Sequence, residues 1–76
     1  MNDTELNHLI KMANQISDNV SHKDSPEVAA QRIANHMTRF WAPSMKDKII
    51  QYAENGGSEL KELTRLAVEQ LAKAKS

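Results

Sequence analysis

The stretch Ser25-Pro26-Glu27-Val28-Ala29-Ala30-Gln31-Arg32-Ile33-Ala34-Asn35-His36-Met37-Thr38-Arg39-Phe40-Trp41-Ala42-Pro43 decides the fold. It opens on a helix start. Serine accepts from the first unpaired amides, proline at the first helical position has no amide to lose, and Glu27 suits the positive end of the helix dipole. Ala30, Ile33, Ala34, Met37, Phe40 and Trp41 then recur at spacings of three and four, the period of one helical face. Arg32, Asn35 and Arg39 fall opposite. Pro43 breaks the run, because the residue before a proline, here Ala42, is pushed away from helical angles. The reading is a helix over 26–41, with Phe40 and Trp41 expected to fill the corner where it meets the next.

Three further helices surround it. Leu6, Leu9, Ile10, Ala13, Ile16 and Val20 make one stripe of a helix over 3–20, with Asn2 and Glu5 placed as a capping-box pair. Asn19 to Asp24 is polar and reads as a connection. After Pro43, the stripe Met45, Ile49, Tyr52 and Ala53 gives a helix over 43–55, stopped by Asn55-Gly56-Gly57. A last helix over 58–73 turns Leu60, Leu63, Ala67 and Leu71 inward and carries Glu62, Arg65, Glu69 and Lys73 as an outer charge ladder. No alternating strand pattern competes. The expected architecture is all-α, a single domain over 1–76 forming a compact bundle of four short helices. Met12, Ile50, Leu66 and Val68 lie at or beyond the stripe edges. They either widen the buried faces or make a second apolar surface that docks on a larger protein.

Composition narrows the function. The chain has 76 residues, ten basic and ten acidic, and no cysteine. A chain this short buries only about 60% of its unfolded surface, so its stability lies near balance with no disulfide to help. Thiolate metal sites and cysteine nucleophiles are excluded. No apolar run approaches the roughly 20 residues of a membrane span, and no signal-peptide core follows Met1, so a cytoplasmic protein without membrane partners is expected. Zero net charge counts against nucleic acid as the main partner. His8, His22 and His36 form no pair at i,i+4 and have no carboxylate at metal-motif spacing. The first two read as solvated, and His36 falls at the margin of the buried face. The serines lack GxSxG or SxxK surroundings, the two glycines lack a phosphate-loop context, and no acid/base carboxylate pair emerges. The chain is expected to be non-catalytic and to bind no cofactor.

The densest stretch is His36 to Met45, with two of the three aromatics, Arg39 and the helix-breaking Pro43. Tryptophan is a frequent interface anchor and arginine is enriched beside it. Arg39 points away from the core stripe, toward an acidic or phosphate-bearing partner.

These residues carry a resemblance. Leu9-x-x-Met12-Ala13-Asn14-Gln15-Ile16, then His36-x-x-Arg39-Phe40-Trp41-x-Pro43-x-Met45, then Gly56-Gly57 and Leu63-x-x-x-Ala67-Val68 resemble the delta subunit of soluble NAD-dependent formate dehydrogenases. The likeness runs from about Leu9 to Leu71, in order and at similar spacings. Two places depart from the family pattern. Ala42 and Ser44 stand where relatives usually carry Asp and Arg around the proline, which removes a helix cap worth about 1 kcal/mol. Lys61-Glu62 stands where relatives tend to open the last helix with Asp-Pro.

The resemblance implies a small accessory subunit or assembly factor of a molybdenum- or tungsten-containing complex. Molybdopterin guanine dinucleotide, iron-sulfur clusters, flavin and NAD belong to the partner subunits. The implied role is to bind the large catalytic subunit and support cofactor insertion or stability, with that binding in turn stabilising this chain. Asn14, Gln15, His36, Arg39, Phe40, Trp41 and Pro43 are the expected partner-binding residues. Two alternatives stand beside this reading. One is a helix-turn-helix nucleic-acid binder using Arg32 and Arg39, which zero net charge and three arginines oppose. The other is a homodimer that buries the spare apolar residues against itself.

Overall fold

Most helix ends fall where the chain offers a cap or a break. The computed structural model describes residues 3–20 and 25–75. Its helices are α1 (Thr4–Asp18), α2 (Pro26–Phe40), α3 (Pro43–Glu54) and α4 (Glu62–Lys75). Among the described residues there is no strand, and the architecture is the all-α bundle expected.

The cap of α1 corrects the sequence reading. Asp3 is the N-cap, its carboxylate accepting from the Leu6 N–H at 3.0 Å, whereas Asn2 lies outside the described residues. Lys48 of α3 lies across the first turn and takes both Asp3 and Glu5 at 3.0 Å, drawing Glu5 sideways. The helix closes at Asp18, short of the expected 20, because the Asn19 side chain folds back on the Gln15 carbonyl at 3.0 Å. Of the connection expected over 19–24, positions 21–24 lie outside the described residues, His22 among them.

The α2 start is as read, with Ser25 Oγ accepting from the Val28 N–H at 3.3 Å and Pro26 in the first turn. It ends at Phe40, one residue early, and Trp41 is already extended. Ala42 precedes α3 without a side-chain cap bond, as its departure from the family pattern implies. At the far end of α3, the Gly57 N–H donates to the Tyr52 carbonyl at 3.1 Å and the Gly56 N–H to the Ala53 carbonyl at 3.3 Å. That pairing is a Schellman stop, and it needs positive φ, which Gly56 (121°) and Gly57 (55°) supply. A side chain at Gly57 would also meet the Ala53 Cα at 3.1 Å.

The largest boundary correction is at α4, which starts at Glu62 and not at 58. Ser58 to Leu60 are held in a turn: the Leu60 N–H donates to the Gly57 carbonyl at 3.0 Å, and the Glu59 N–H donates to the Tyr52 hydroxyl at 2.9 Å. Leu60 is buried from that turn, not from a helix.

The core runs through all four helices. Leu9, Ile10 and Ala13 of α1, Ile33 and Met37 of α2, Ile49 and Ile50 of α3, and Ala67, Val68 and Leu71 of α4 are buried together with Leu60 and Trp41. The α2–α4 contact is the most extensive. Ile50 and Val68 are thus core residues, while Met12 and Leu66 pack half-buried against them, so the wide-face reading holds for these four. One buried pair is polar. Ser17 Oγ donates to the Ala13 carbonyl at 3.3 Å and shares a short hydrogen bond with Thr64 Oγ1, tying α1 to α4.

Two predictions follow from these contacts. Ser17→Ala strands the Thr64 hydroxyl and should cost about 1–2 kcal/mol in urea unfolding, while Ser17→Ala combined with Thr64→Val should recover much of that loss. Additive losses would show that the pair is not coupled. The second concerns pH. The Leu6 amide, and then Lys48, hold the Asp3 carboxyl below its ordinary 3.8, so Asp3 contributes stability above that value and loses it as pH falls through the lowered one. Asp3, and then Glu5, raise Lys48 above its ordinary 10.5, so its contribution is complete below that value and is lost as pH rises through the raised one. The melting-temperature gap between wild type and Asp3→Ala should therefore be widest at about pH 6–8 and shrink below about pH 3. A gap unchanged at acid pH would contradict this origin.

Candidate functional site

At the C-terminal turn of α2, helical spacing brings three of the expected site residues together. His36 and Phe40 are four residues apart, and their rings stack at 4.8 Å between centroids with a 45° tilt. The Arg39 guanidinium carbon lies 6.0 Å from the Phe40 ring centroid. Phe40 itself is 69% exposed.

That exposure reverses the expectation that Phe40 fills the corner. Its angular position is that of a core residue, three after Met37 and seven after Ile33. Its axial position is not, because it is the last residue of the helix. At Trp41 the backbone becomes extended, and the indole turns into the corner, where it is 5% exposed. Trp41 is therefore part of the core.

The other expected residues lie elsewhere. Pro43 is exposed and opens α3. Gln15 is exposed on α1. Asn14 is occupied internally: its Nδ2 donates to the Glu59 carbonyl at 3.0 Å and its Oδ1 accepts the Lys61 N–H at 3.0 Å. The Lys61 carbonyl accepts the first α4 bond, from the Arg65 N–H at 2.8 Å, so Lys61 occupies the cap position. Asn14 supplies from another helix the acceptor that a capping box would find within its own. This is the interhelical role for Asn14, reached across 47 residues. Arg65, read as one rung of the charge ladder, donates to the Gly57 carbonyl at 2.9 Å and so belongs to the same junction. Lys61 also pairs with Asp18 at the end of α1.

Sequence reasoning passed over Lys46. Its Nζ donates to the Thr38 carbonyl at 3.5 Å, placing a second cation at the negative end of α2. A signal was available. From Val28 to Lys46 the chain has Arg32, Arg39 and Lys46 but no aspartate or glutamate, so all ten carboxylates lie outside this segment.

The turn offers an aromatic surface flanked by an imidazole and a guanidinium. Among the described residues, no group of three His, Asp or Glu is gathered closely enough to hold a metal ion, and no helix is long and apolar enough to cross a membrane.

Comparison with protein families matches residues 8–68 to the NADH-dependent formate dehydrogenase delta subunit FdsD. The chain belongs to that family. It is thus a formate dehydrogenase delta subunit, of an accessory-subunit family, and the other subunits of such a complex are its partners. No curated protein and no solved structure shows a significant match. The matched span takes in both the α2 corner and the Asn14 junction of the delta subunit.

Asn14→Ala removes both bonds from α1 to the turn before α4 and should lower stability by about 1–2 kcal/mol. Asn14→Asp keeps the acceptor for Lys61 but loses the donor to Glu59, and should fall between. Equal stability of all three proteins in chemical denaturation would contradict the clamp.

Proposed function

We propose that this delta subunit is a non-catalytic accessory chain that binds the large catalytic subunit of formate dehydrogenase and supports its cofactor loading or stability. The family match over residues 8–68 carries the reading. The structure supports it in a specific way. Trp41, Ile50 and Val68 complete a core that the chain closes by itself, so it can approach a partner as a folded unit. The exposed ring of Phe40 remains as contact surface. In this reading the molybdopterin guanine dinucleotide, iron-sulfur clusters, flavin and NAD all reside in the partner subunits, the complex works in the cytoplasm, and membranes and nucleic acid have no part in it. Binding to the large subunit also stabilises the delta subunit by mass action.

The test is co-expression of the other dehydrogenase subunits with and without this chain. A tagged delta subunit should recover the large subunit, and its omission should lower the molybdenum or tungsten content, or the thermal stability, of the purified enzyme. Recovery of no dehydrogenase subunit, together with unchanged metal content and stability on omission, would overturn the assignment.

A further inference from the structure

We propose that the C-terminal turn of α2 is the docking corner of this chain, where the exposed Phe40 ring enters an apolar pocket rimmed by carboxylates that Arg39 and His36 engage. This rests on the reading that the chain binds the large catalytic subunit, and it assigns the pocket to that protein. Four observations carry it. Phe40 is 69% exposed in a chain with only three aromatic residues, whereas the core around Trp41 is closed. Val28, at 43%, is the other large apolar side chain exposed among the described residues, and it lies at the opposite end of α2. The ring lies 4.8 Å from the His36 ring and 6.0 Å from the Arg39 guanidinium, so an aromatic and a cationic contact are presented together. The whole segment from Val28 to Lys46 is cationic in a chain of zero net charge.

That charge pattern selects the occupant. A symmetric contact centred on this corner would bring the two Arg39 guanidinium groups together at the axis, a like-charge juxtaposition that opposes association. Polyphosphate partners would meet this corner but also the ten carboxylates on the rest of the chain. A protein surface that combines an apolar pocket with aspartate or glutamate at its rim satisfies both the ring and the cations. Aromatic and arginine side chains placed side by side are the usual composition of interface hot spots.

The experiment measures binding of the purified chain to dehydrogenase complex isolated from a host that lacks it. Phe40→Ala and Arg39→Glu should each weaken binding about tenfold or more. The Arg39→Glu loss should diminish at high salt. Val28→Ala, a control at the other end of α2, should bind as wild type. Phe40 and Arg39 are exposed, so the variants should melt as wild type does, which circular dichroism verifies. Wild-type binding that both variants match would overturn the corner while leaving the proposed function standing. No binding by wild type would overturn both. Sedimentation showing a dimer that Phe40→Ala dissociates would give the corner to a second copy, and salt-dependent binding of an oligonucleotide lost in Arg39→Glu would give it to nucleic acid. Either result overturns the proposal.

Discussion

Packing of α2 against α4 is the contact on which the other elements depend. Both helices turn small residues inward, Ala29, Ala30 and Ala34 on one and Ala67 on the other, all buried. Small side chains at a helix contact let the axes approach, and larger neighbours then interdigitate at interior density. Here those neighbours are Ile33, Met37, Val68 and Leu71, each nearly or completely buried. A chain of 76 residues has few such residues to spare. Economy of the core explains why Trp41 is drawn into the corner and why Ile50, off the apparent stripe of α3, is buried at 8% exposure.

With that pair in place, α1 is fixed by polar contacts as much as by apolar ones. Ser17 meets Thr64 inside the core, Asn14 holds the start of α4, and Lys48 of α3 holds the first turn of α1. Exposed ion pairs such as Lys48 with Asp3 contribute little individually. The buried hydroxyl pair matters more, because each hydroxyl would otherwise lose water without replacement, and the two Asn14 bonds hold the turn before α4 to α1. They also fix register, since neither pair survives a shift of one helical turn.

Much of this was legible in the sequence, and what was not has a common cause. Ser25-Pro26 at the start of α2, the Pro43 break and the Gly56-Gly57 stop are local signals, and the structure uses each of them. The start of α4 was misread because its determinant, Asn14, lies on another helix. Ser17 was missed because a hydroxyl on an apolar stripe gains meaning only when Thr64 is known to face it. Trp41 fills the corner as expected and Phe40 does not, because periodicity gives the angle of a side chain around a helix and not whether another helix extends far enough to cover it. At the candidate site, His36, Arg39 and Phe40 stood out as neighbours in a dense stretch, but periodicity put Phe40 and Arg39 on opposite faces, and Asn14 and Trp41 have structural duties. The charge asymmetry of residues 28–46 was present in the sequence, and only the exposed ring beside it gave it a use.

As proposed, the delta subunit is a self-folded bundle that meets its complex through one corner. Backbone amide chemical shifts of the isotope-labelled chain, recorded alone and with increasing amounts of the dehydrogenase complex, test it most directly. The chain alone should give a dispersed helical spectrum, with perturbations on binding concentrated at about His36 to Lys46. A collapsed spectrum that disperses only on binding, or perturbations centred on the Asn14–Lys61 junction, would contradict it.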